Sequence, residues 1–428
     1  MKRILTIALL IPLFVNAQQL SLRNAIDSAM KNNFNILFAK DSVEMNHLSN
    51  TYGMAGGLPS VNIATGDNNL LSNVHQQYST GPDLDKSNVY GNSLTGAITA
   101  SIPLFNGFKI VATKHQLEAL EALGDLQLNQ RIQNTMAAIM MKYFDIVRQD
   151  NYMGILHRSL DVSKEKLNIT TTRRSVGMAN DADFLQAQID ESTIEQTIKS
   201  QQLVIDQAKA DLQVMMSSKS FYPFSVTDTI VVDKDIVLDS ITGCLKQNPQ
   251  YLSFDQIIKI NETVVQQINS QRYPSLKINT AYNFSYTNSG AGYTIINQIY
   301  GPQAGFTLQI PIYNGNMFKT QHDVAVCNVT MAKQQQQSLL LAYNADAYKT
   351  YISYQNTLQQ LTEQQANYER SGTLVKIVMQ RFQNNLATML DVKAAQLSFE
   401  NSGFTLVNLE FAAKAAEVEL KRLVYKLK

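Results

Sequence analysis

Two short motifs place residues that could do chemistry at a useful spacing. Glu44 and His47 have the Glu-x-x-His spacing with which one helix ligates iron in di-iron proteins. Such a site needs a second copy of the motif and further carboxylates, which the sequence lacks. Ser28 and Lys31 match a Ser-x-x-Lys spacing without the partner motifs of acyl enzymes. We therefore predict that both motifs lie on solvated faces of amphipathic helices.

No other constellation of residues points to an enzyme. The five histidines form no close pair in the sequence, and there is no Gly-Lys-Ser phosphate loop, no Gly-x-Ser-x-Gly elbow and no Cys-x-x-Cys. We therefore predict no catalytic residue, no cofactor and no metal site. A net charge of +1 gives no reason to expect a nucleic-acid partner. The two cysteines, Cys244 and Cys327, make no disulfide framework, and we expect no bond between them.

The first residues predict export from the cytoplasm. Lys2 and Arg3 precede an uncharged run to Val15, and Ala17 ends a small-residue cleavage signal. Residues 1–17 are therefore predicted to be a signal peptide. The next residue is Gln rather than Cys, so no N-terminal lipid anchor is expected there. No later run of about 18 apolar residues predicts a transmembrane helix.

The rest of the sequence is a duplication. Residues 102–107 (Ile-Pro-Leu-Phe-Asn-Gly) return as residues 310–315 (Ile-Pro-Ile-Tyr-Asn-Gly), at an offset of 208. Residues 58–61 (Leu-Pro-Ser-Val) return as residues 273–276 (Tyr-Pro-Ser-Leu), at an offset of 215. The seven extra residues of the first copy fall within its predicted hairpin, where a loop tolerates insertion.

Proline placement divides each copy into a helix, two strands and two long helices, because proline stops helices and avoids strand interiors. We predict a first repeat over residues 18–219, an inter-repeat segment over 220–239 and a second repeat over 240–428. The predicted hairpins are residues 58–105 and 273–313, and the predicted long helices are about 108–218 and 315–428.

The strand segments alternate between apolar and polar residues. Even positions are mainly apolar from Ser275 to Tyr286, from Ala304 to Ile312 and from Leu94 to Leu104. The segments match the ~9–11 residues of a tilted membrane strand. Their polar face suits a water-filled lumen, and aromatic residues cluster near the strand ends. The pattern therefore predicts membrane β-strands.

Four strands are too few to close a membrane barrel. An open sheet edge in lipid leaves backbone groups unsatisfied at several kcal/mol each, and the smallest membrane barrels have about 8 strands. The chain must therefore oligomerise. Three copies supply 12 strands, whereas two supply 8 and leave little room for a pore.

The helical segments are longer than ordinary globular helices. At 1.5 Å per residue, the longer member of each pair spans ~100 Å. Apolar residues recur at steps of three and four from Val392 to Leu427. The same register runs from Phe184 to Met215, with Glu191 and Gln201 interrupting it. This spacing predicts a coiled-coil seam.

Taken in order, these features resemble the TolC-like outer-membrane factor family over essentially the whole mature chain. Further marks of the resemblance are residues 22–26 followed by Asn32-Asn33, and Asp183 with Ala187-Gln188, repeated as Asp391 with Ala395-Gln396. The resemblance implies a mixed all-α and membrane β-barrel fold. Three identical chains would form a 12-stranded barrel in the outer membrane, continued by a 12-helix tunnel through the periplasm. Residues 220–239 would join a belt around that tunnel.

The resemblance also implies the function and the partners. The chain would be the passive exit duct of a tripartite efflux pump or of a type I secretion system. Its partners would be a periplasmic adaptor (membrane fusion) protein, an inner-membrane transporter and the lipid of the outer membrane. A second class of function stays open, namely a periplasmic coiled-coil scaffold or adhesin that forms no channel.

In this family, helix–turn–helix tips close the tunnel. The resemblance assigns Asp391 and Asp183 to the constriction, Asp183 through the bonds that hold the tip shut. The alternative for Asp391 is a first-turn carboxylate that only stabilises its own helix. The adaptor would touch the two turns at Val176, Gly177, Met178, Asn384, Asn385 and Leu386.

The second tip departs from the family pattern. Phe382, Ala387 and Ala394 stand where the family has a Tyr hydroxyl, an Arg and a second Asp. One carboxylate ring instead of two would bind cations less well. The gate is therefore expected to be held differently, and the candidate residues are Arg173, Arg174 and Arg381.

Overall fold

A computed structural model describes residues 18–291 and 294–427, and the predicted signal peptide lies outside these residues. The helices and strands, in chain order, are β1 (Gln18–Leu20), α1 (Leu22–Asn32), α2 (Phe34–Ser49), β2 (Ser60–Gln76), β3 (Leu84–Asn106), α3 (Lys109–Ser175), α4 (Asp181–Met215), β4 (Phe224–Val226), α5 (Leu238–Thr242), α6 (Pro249–Ser270), β5 (Ser275–Ser289), β6 (Ile296–Gln309), α7 (Met317–Gln383) and α8 (Met389–Leu423).

The chain forms two compact units. One contains the described residues up to Asp41, Leu126–Leu252 and the described residues from Ser338 onwards. The other contains Ser42–Asp125 and Ser253–Gln337, and therefore holds the four-stranded sheet. In the described part of the chain, no helix is both long enough and apolar enough to span a bilayer.

The sheet has the order β2-β3-β5-β6, and all its neighbouring strands are antiparallel. In the first hairpin Ser60 pairs with Ser101, and in the second Ser275 pairs with Gln309. These positions differ by the offsets of 215 and 208 found in the sequence repeat. Both hairpins therefore have the same register relative to the repeated motifs.

The register gathers most of the apolar residues of the four strands on one face, although Leu70 and Ile299 lie on the other. Ile63 lies opposite Ile98, Ile98 opposite Tyr282, and Ile278 opposite Phe306. Side chains alternate between the faces of a strand, so Thr99 and the neighbours of these residues point to the other side. The apolar face includes Val61, Ile63, Leu94, Ile98, Ile278, Tyr282, Phe284, Tyr286, Tyr300, Phe306 and Leu308.

The strands differ from the prediction in length and at two ends. They contain 14 to 23 residues, because the hairpins continue to pair beyond the alternating segments. A bulge between Pro103 and Phe105 places Phe105 opposite Leu276, so Leu104 does not continue the predicted apolar face. β6 ends at Gln309, before Ile312, because Pro311 cannot donate a ladder hydrogen bond.

The long helices have matching lengths in the two repeats. α3 and α7 contain 67 residues each, and α4 and α8 contain 35 each. At 1.5 Å per residue, the longer pair measures ~100 Å along the helix axis. Most of the predicted seam of α8 is buried, including Val392, Phe399, Leu406, Ala413 and Leu420.

The two predicted interruptions of the α4 seam have different outcomes. Gln201 is buried, and its amide donates to the Gln149 carbonyl (3.2 Å) and to Gln149 Oε1 (2.7 Å). Glu191 is only half-buried, and its neighbour Asp190 is the buried carboxylate instead. The sequence analysis placed Glu191 in the seam, one position too late. Asp190 and Glu191 lie three and four residues after the seam residue Ala187, and both spacings reach the same helix face.

A short parallel pairing that the sequence analysis missed joins β1 to β4. The Tyr143 hydroxyl oxygen lies 2.9 Å from the Leu20 carbonyl oxygen and 2.6 Å from Asp228 Oδ2, so its one proton has two acceptors within reach. Asp228 Oδ2 also accepts the Leu22 N–H (2.8 Å). Burial, followed by the bond to Asp228, raises the pKa of Tyr143 to about 12. This network fixes the start of the described chain to the segment between the repeats.

Candidate functional site at the helix turns

The turns that join the long helices have the same geometry in both repeats. Gly177 and Asn385, which are 208 positions apart, adopt positive φ angles of 74° and 59°. The Met178 N–H donates to the Arg173 carbonyl (2.7 Å), and the Leu386 N–H donates to the Arg381 carbonyl (2.8 Å). These 6→1 bonds are typical of a Schellman motif, which ends a helix at a residue that tolerates positive φ.

The turns expose apolar side chains. Val176 and Met178 are 65% and 66% exposed in the first turn, and Leu386 is 66% exposed in the second. Exposed apolar residues at the end of a helical hairpin are suited to a protein contact. The adaptor-contact assignment to these turns remains a prediction.

The helices after the turns begin with matching caps. In α4, Asn180 Oδ1 accepts the Asp183 N–H (2.7 Å). In α8, Thr388 Oγ1 accepts the Asp391 N–H (3.2 Å), and Asp391 Oδ2 accepts both the N–H and the hydroxyl of Thr388 (2.8 Å each). This arrangement is a capping box.

The cap affects the charge of Asp391 as well as its position. The bonds from the Thr388 N–H and hydroxyl hold the pKa of Asp391 below its usual range. The carboxylate is exposed, and Asp183 is half-buried. Helix capping therefore accounts for the bonds of Asp391 within the chain, and the constriction role of both residues remains a prediction.

One of the three candidate arginines joins the two hairpins. The Arg173 guanidinium donates to the Phe382 carbonyl, and its central carbon lies 4.4 Å from the centre of the Phe382 ring. Arg174 instead bonds Asp181 (2.8 Å) in its own hairpin. Arg381 donates to the Leu386 carbonyl (3.3 Å) of its own turn. Arg173 therefore bridges α3 and the end of α7.

Phe382 fulfils a structural role that explains its apolar character. It is 4% exposed and packs with Met379 and Val392, beside Ala387 and Met389. A hydroxyl in this cluster would need a hydrogen-bond partner. The hydrogen bond between the hairpins instead uses the backbone carbonyl of Phe382, which accepts from Arg173.

A buried ionic cluster that the sequence analysis missed lies between α3, α4 and α8. Asp190 accepts from Lys166 (2.5 Å), from Lys393 (2.8 Å) and from Gln186 (2.8 Å). Burial raises the pKa of Asp190, but the three hydrogen bonds outweigh burial and lower it below the usual range. The sequence offered one signal for this cluster. Asp190 lies three residues after Ala187, a seam residue, and therefore on the same face of α4.

A second polar contact crosses from α3 to α8. The Gln396 amide is buried and donates to Ser159 Oγ (2.6 Å), the Ser159 carbonyl (3.0 Å) and Ser163 Oγ (2.9 Å). The Ser159 hydroxyl donates to Glu400. Together with the Asp190 cluster, these bonds fix the register of α8 on α3, since a slip would leave buried polar groups unsatisfied.

His47, which was considered as a metal ligand, contacts a carboxylate on α3. His47 Nδ1 lies 2.7 Å from Glu121 Oε1, and this contact raises the pKa of His47. Over residues 18–291 and 294–427, no group of three or more His, Cys, Asp or Glu could hold a metal ion. Both cysteines have free thiols.

Comparisons with known proteins agree with this arrangement. The family model described as "Outer membrane efflux protein" matches residues 25–218 and 245–424. A search of curated protein sequences finds no significant match.

Several solved structures have the same fold. The Campylobacter jejuni CmeC outer membrane channel has a TM-score of 0.78 and 16% identity, over 95% of this chain and 86% of that one. The outer membrane protein VceC from Vibrio cholerae has a TM-score of 0.71 and 16% identity, over 94% and 95% of the two chains. The open state of the Neisseria gonorrhoeae MtrE outer membrane channel has a TM-score of 0.71 and 14% identity, over 95% and 89%. Since the family model matches both repeats, the chain belongs to the outer membrane efflux protein family.

Proposed function

We propose that the chain is a passive exit duct through the outer membrane, and not an enzyme. Three copies would close a 12-stranded barrel in the lipid and continue as a 12-helix tunnel in the periplasm. The two repeats, residues 18–219 and 240–428, would each contribute a hairpin and a pair of long helices. The segment 220–239 would lie at the belt between them.

The observation that carries this proposal is the surface of the four-stranded sheet. Its apolar face is open to solvent in the single chain, with Ile63 73% and Phe306 75% exposed. Its outer strands, β2 and β6, each pair on one side only among the described strands. Lipid can cover such a face, but an open edge in lipid is costly. Further strands from identical chains remove both edges.

The long helices also favour assembly of several copies. On α8, Leu390 and Leu397 lie one heptad apart, away from the buried seam, and are 75% and 48% exposed. On α4, Ile189 and Leu203 lie two heptads apart and are each 58% exposed. A second apolar stripe at heptad spacing is suited to a neighbouring helix of another copy.

The turns at the end of these helices are the proposed contact with a periplasmic adaptor. The adaptor would connect the duct to an inner-membrane transporter, either of a tripartite efflux pump or of a type I secretion system. CmeC and MtrE, which share the fold, are both described as outer membrane channels.

The proposal is tested by separating the membranes from the soluble periplasm of expressing cells. We expect the chain in the outer-membrane fraction, as an oligomer on gels of unheated samples and as a monomer after boiling. A scaffold or adhesin with soluble hairpins would appear with the soluble periplasm, and that result would reject the channel.

A further inference from the structure

The polar face of the sheet carries an isolated positive charge. The strand segments that pair across all four strands contain two charged residues, Asp67 and Lys277. Asp67 lies opposite Leu94 and therefore on the apolar face. Lys277 precedes Ile278 of that face, and side chains alternate along a strand, so Lys277 points to the polar side. In this part of the described sheet, Lys277 is the only charged side chain on the polar face.

Lys277 lines a cavity at the end of the sheet where the strands join the helices. The cavity measures about 880 Å³, and Ser101 and Gln309 of the polar face also line it. Lys109, the first residue of α3, is the other charged residue of the lining, and no carboxylate of the described chain contributes to it. All of these residues belong to the unit that holds the sheet.

Neither lysine is neutralised by the protein. Within residues 18–291 and 294–427, the ammonium groups of Lys109 and Lys277 have no hydrogen-bond or ion-pair partner, and both residues are exposed. An adjoining cavity of about 370 Å³ has Arg272 and Lys319 as its charged lining among the described residues. A concave surface lined by charges of one sign focuses its field and concentrates ions of the opposite sign.

The repeat indicates that the fold does not require a lysine at either position. The offset of 215 equates Lys277 with Asn62, and each is the third residue of its strand. The offset of 208 equates Lys109 with Met317, and each is the first residue of its helix. Asn62 and Met317 begin the equivalent elements without a charge. The packing that the repeats share therefore does not account for the two lysines.

We propose that this cavity is a subsite for small anionic cargo, in which Lys277 and Lys109 bind a carboxylate or phosphate group. Lysine binds such groups as a point charge, and the volume falls in the range of roughly 300–1,000 Å³ that is usual for small-molecule sites. The inference rests on the proposed function, because the polar face must line the duct. The cation preference expected at the helix turns concerns Asp391, which belongs to the other unit.

The reaction rates of a nearby thiol measure the potential at this subsite. Thr307 pairs directly with Lys277, so Thr307→Cys in a Cys244→Ser, Cys327→Ser background places a thiol beside it. Outer membranes that contain this variant are treated with an anionic or a cationic methanethiosulfonate reagent of similar size. We expect the ratio of the anionic to the cationic rate to fall about threefold in Lys277→Gln, because one screened charge about 6 Å away is lost. Lys277→Arg should retain the ratio.

Two controls locate the effect. Ser285→Cys lies on the same face, eight residues along β5 from Lys277 and therefore about 27 Å away. This distance is nearly three Debye lengths at about 0.1 M salt, so the rate ratio at Ser285→Cys should not respond to Lys277→Gln. Lys86→Gln removes a positive charge from the far part of the first hairpin, and should leave the ratio at Thr307→Cys unchanged.

Pyrophosphate, added at constant ionic strength, tests whether an anion occupies the cavity. We expect it to slow the reaction of Thr307→Cys with the anionic reagent. This protection should be lost when Lys277→Gln and Lys109→Gln are combined. The reaction of Ser285→Cys should not be slowed in either background.

The subsite is overturned if the rate ratio at Thr307→Cys is the same with Lys277 and with Lys277→Gln. It is also overturned if protection by pyrophosphate survives the loss of both lysines. If the protein is an oligomer of the outer membrane in these experiments, the proposed channel stands without the subsite. Recovery of the protein as a soluble single chain would reject the channel and the subsite together.

Discussion

At the scale of single residues, Asp391 combines a structural bond with an exposed charge. Its carboxylate accepts two bonds from Thr388, and these bonds favour the ionised form. A capping carboxylate in the first turn also interacts favourably with the helix dipole. Because the charge is retained near neutral pH, three such carboxylates around an axis would attract cations.

Two substitutions at this position separate the cap from the charge. Asp391→Asn keeps an oxygen acceptor for the Thr388 N–H, whereas Asp391→Ala removes it. We expect both to abolish block of the closed channel by divalent cations in single-channel recordings. Both variants keep the Thr388 cap, but only Asp391→Ala should also lose the bond that the Asp391 side chain accepts from the Thr388 N–H, at about 0.5–1.5 kcal/mol of stability. Unchanged divalent block in both variants would leave Asp391 as a cap alone.

Asp190 is predicted to be more important for stability than any residue of the turns. Asp190→Ala would leave the fully buried Lys166 without its partner, and breaking a buried ion pair costs about 3–5 kcal/mol. Asp190→Leu combined with Lys166→Met should recover most of that loss. Urea unfolding in detergent, followed by circular dichroism, measures both. A single variant as stable as the parent would contradict the role assigned to this cluster.

The same carboxylate predicts a pH dependence. Its pKa is lower in the folded chain, so its stabilising effect is fully present above the unfolded pKa of about 3.9. The effect is lost as the pH falls through the lower, folded pKa. We expect the stability difference between the parent and Asp190→Asn to be constant from pH 5 to pH 7 and to shrink below about pH 4. Loss of that difference already at pH 6 would contradict the assignment.

At the scale of elements, the strand register determines which residues face lipid. Ile98 and Phe306 lie on the shared apolar face, and their neighbours Thr99 and Thr307 lie on the other. Ile98→Arg and Phe306→Arg are therefore expected to destabilise the barrel by about 2–4 kcal/mol. Thr99→Arg and Thr307→Arg should assemble normally. Equal loss of oligomer in all four variants, on gels of unheated samples, would refute this assignment of faces.

The contact between the two helical hairpins makes a separate prediction. Arg173→Ala removes the bond to Phe382 that links α3 to α7, and a hydrogen bond from a charged group is worth about 1.5–3 kcal/mol. We expect the closed channel to open more often in bilayer recordings. Arg174→Ala is the matched control, because Arg174 bonds Asp181 in its own hairpin. An equal effect of both substitutions would argue against a latch at Arg173.

Features set by residues close together in the sequence could be predicted from it, and features set by distant segments could not. The long helices begin and end at signals that are local in the sequence, such as Gly177 and the caps at Asn180 and Thr388. The bulge near Leu104 and the pairing of β1 with β4 depend on distant segments. The Asp190 cluster was missed for the same reason, since its partners lie on three helices.

At the scale of the whole molecule, the two repeats place equivalent strands in equivalent pairings within one sheet, and we propose that three identical chains continue this sheet into a barrel. The family match and the fold support a channel of the outer membrane. A chain whose described residues form four long strands would then make a pore by assembling copies of itself.

Single-channel recording of the protein purified from outer membranes tests whether the assembled copies form a pore. Reconstituted into a planar lipid bilayer, the protein should produce discrete steps of conductance that favour cations. The conductance should be small at rest if the helix turns close the proposed tunnel. A protein that inserts into the bilayer, as shown by its recovery with the lipid, yet never produces a conductance step would contradict the account.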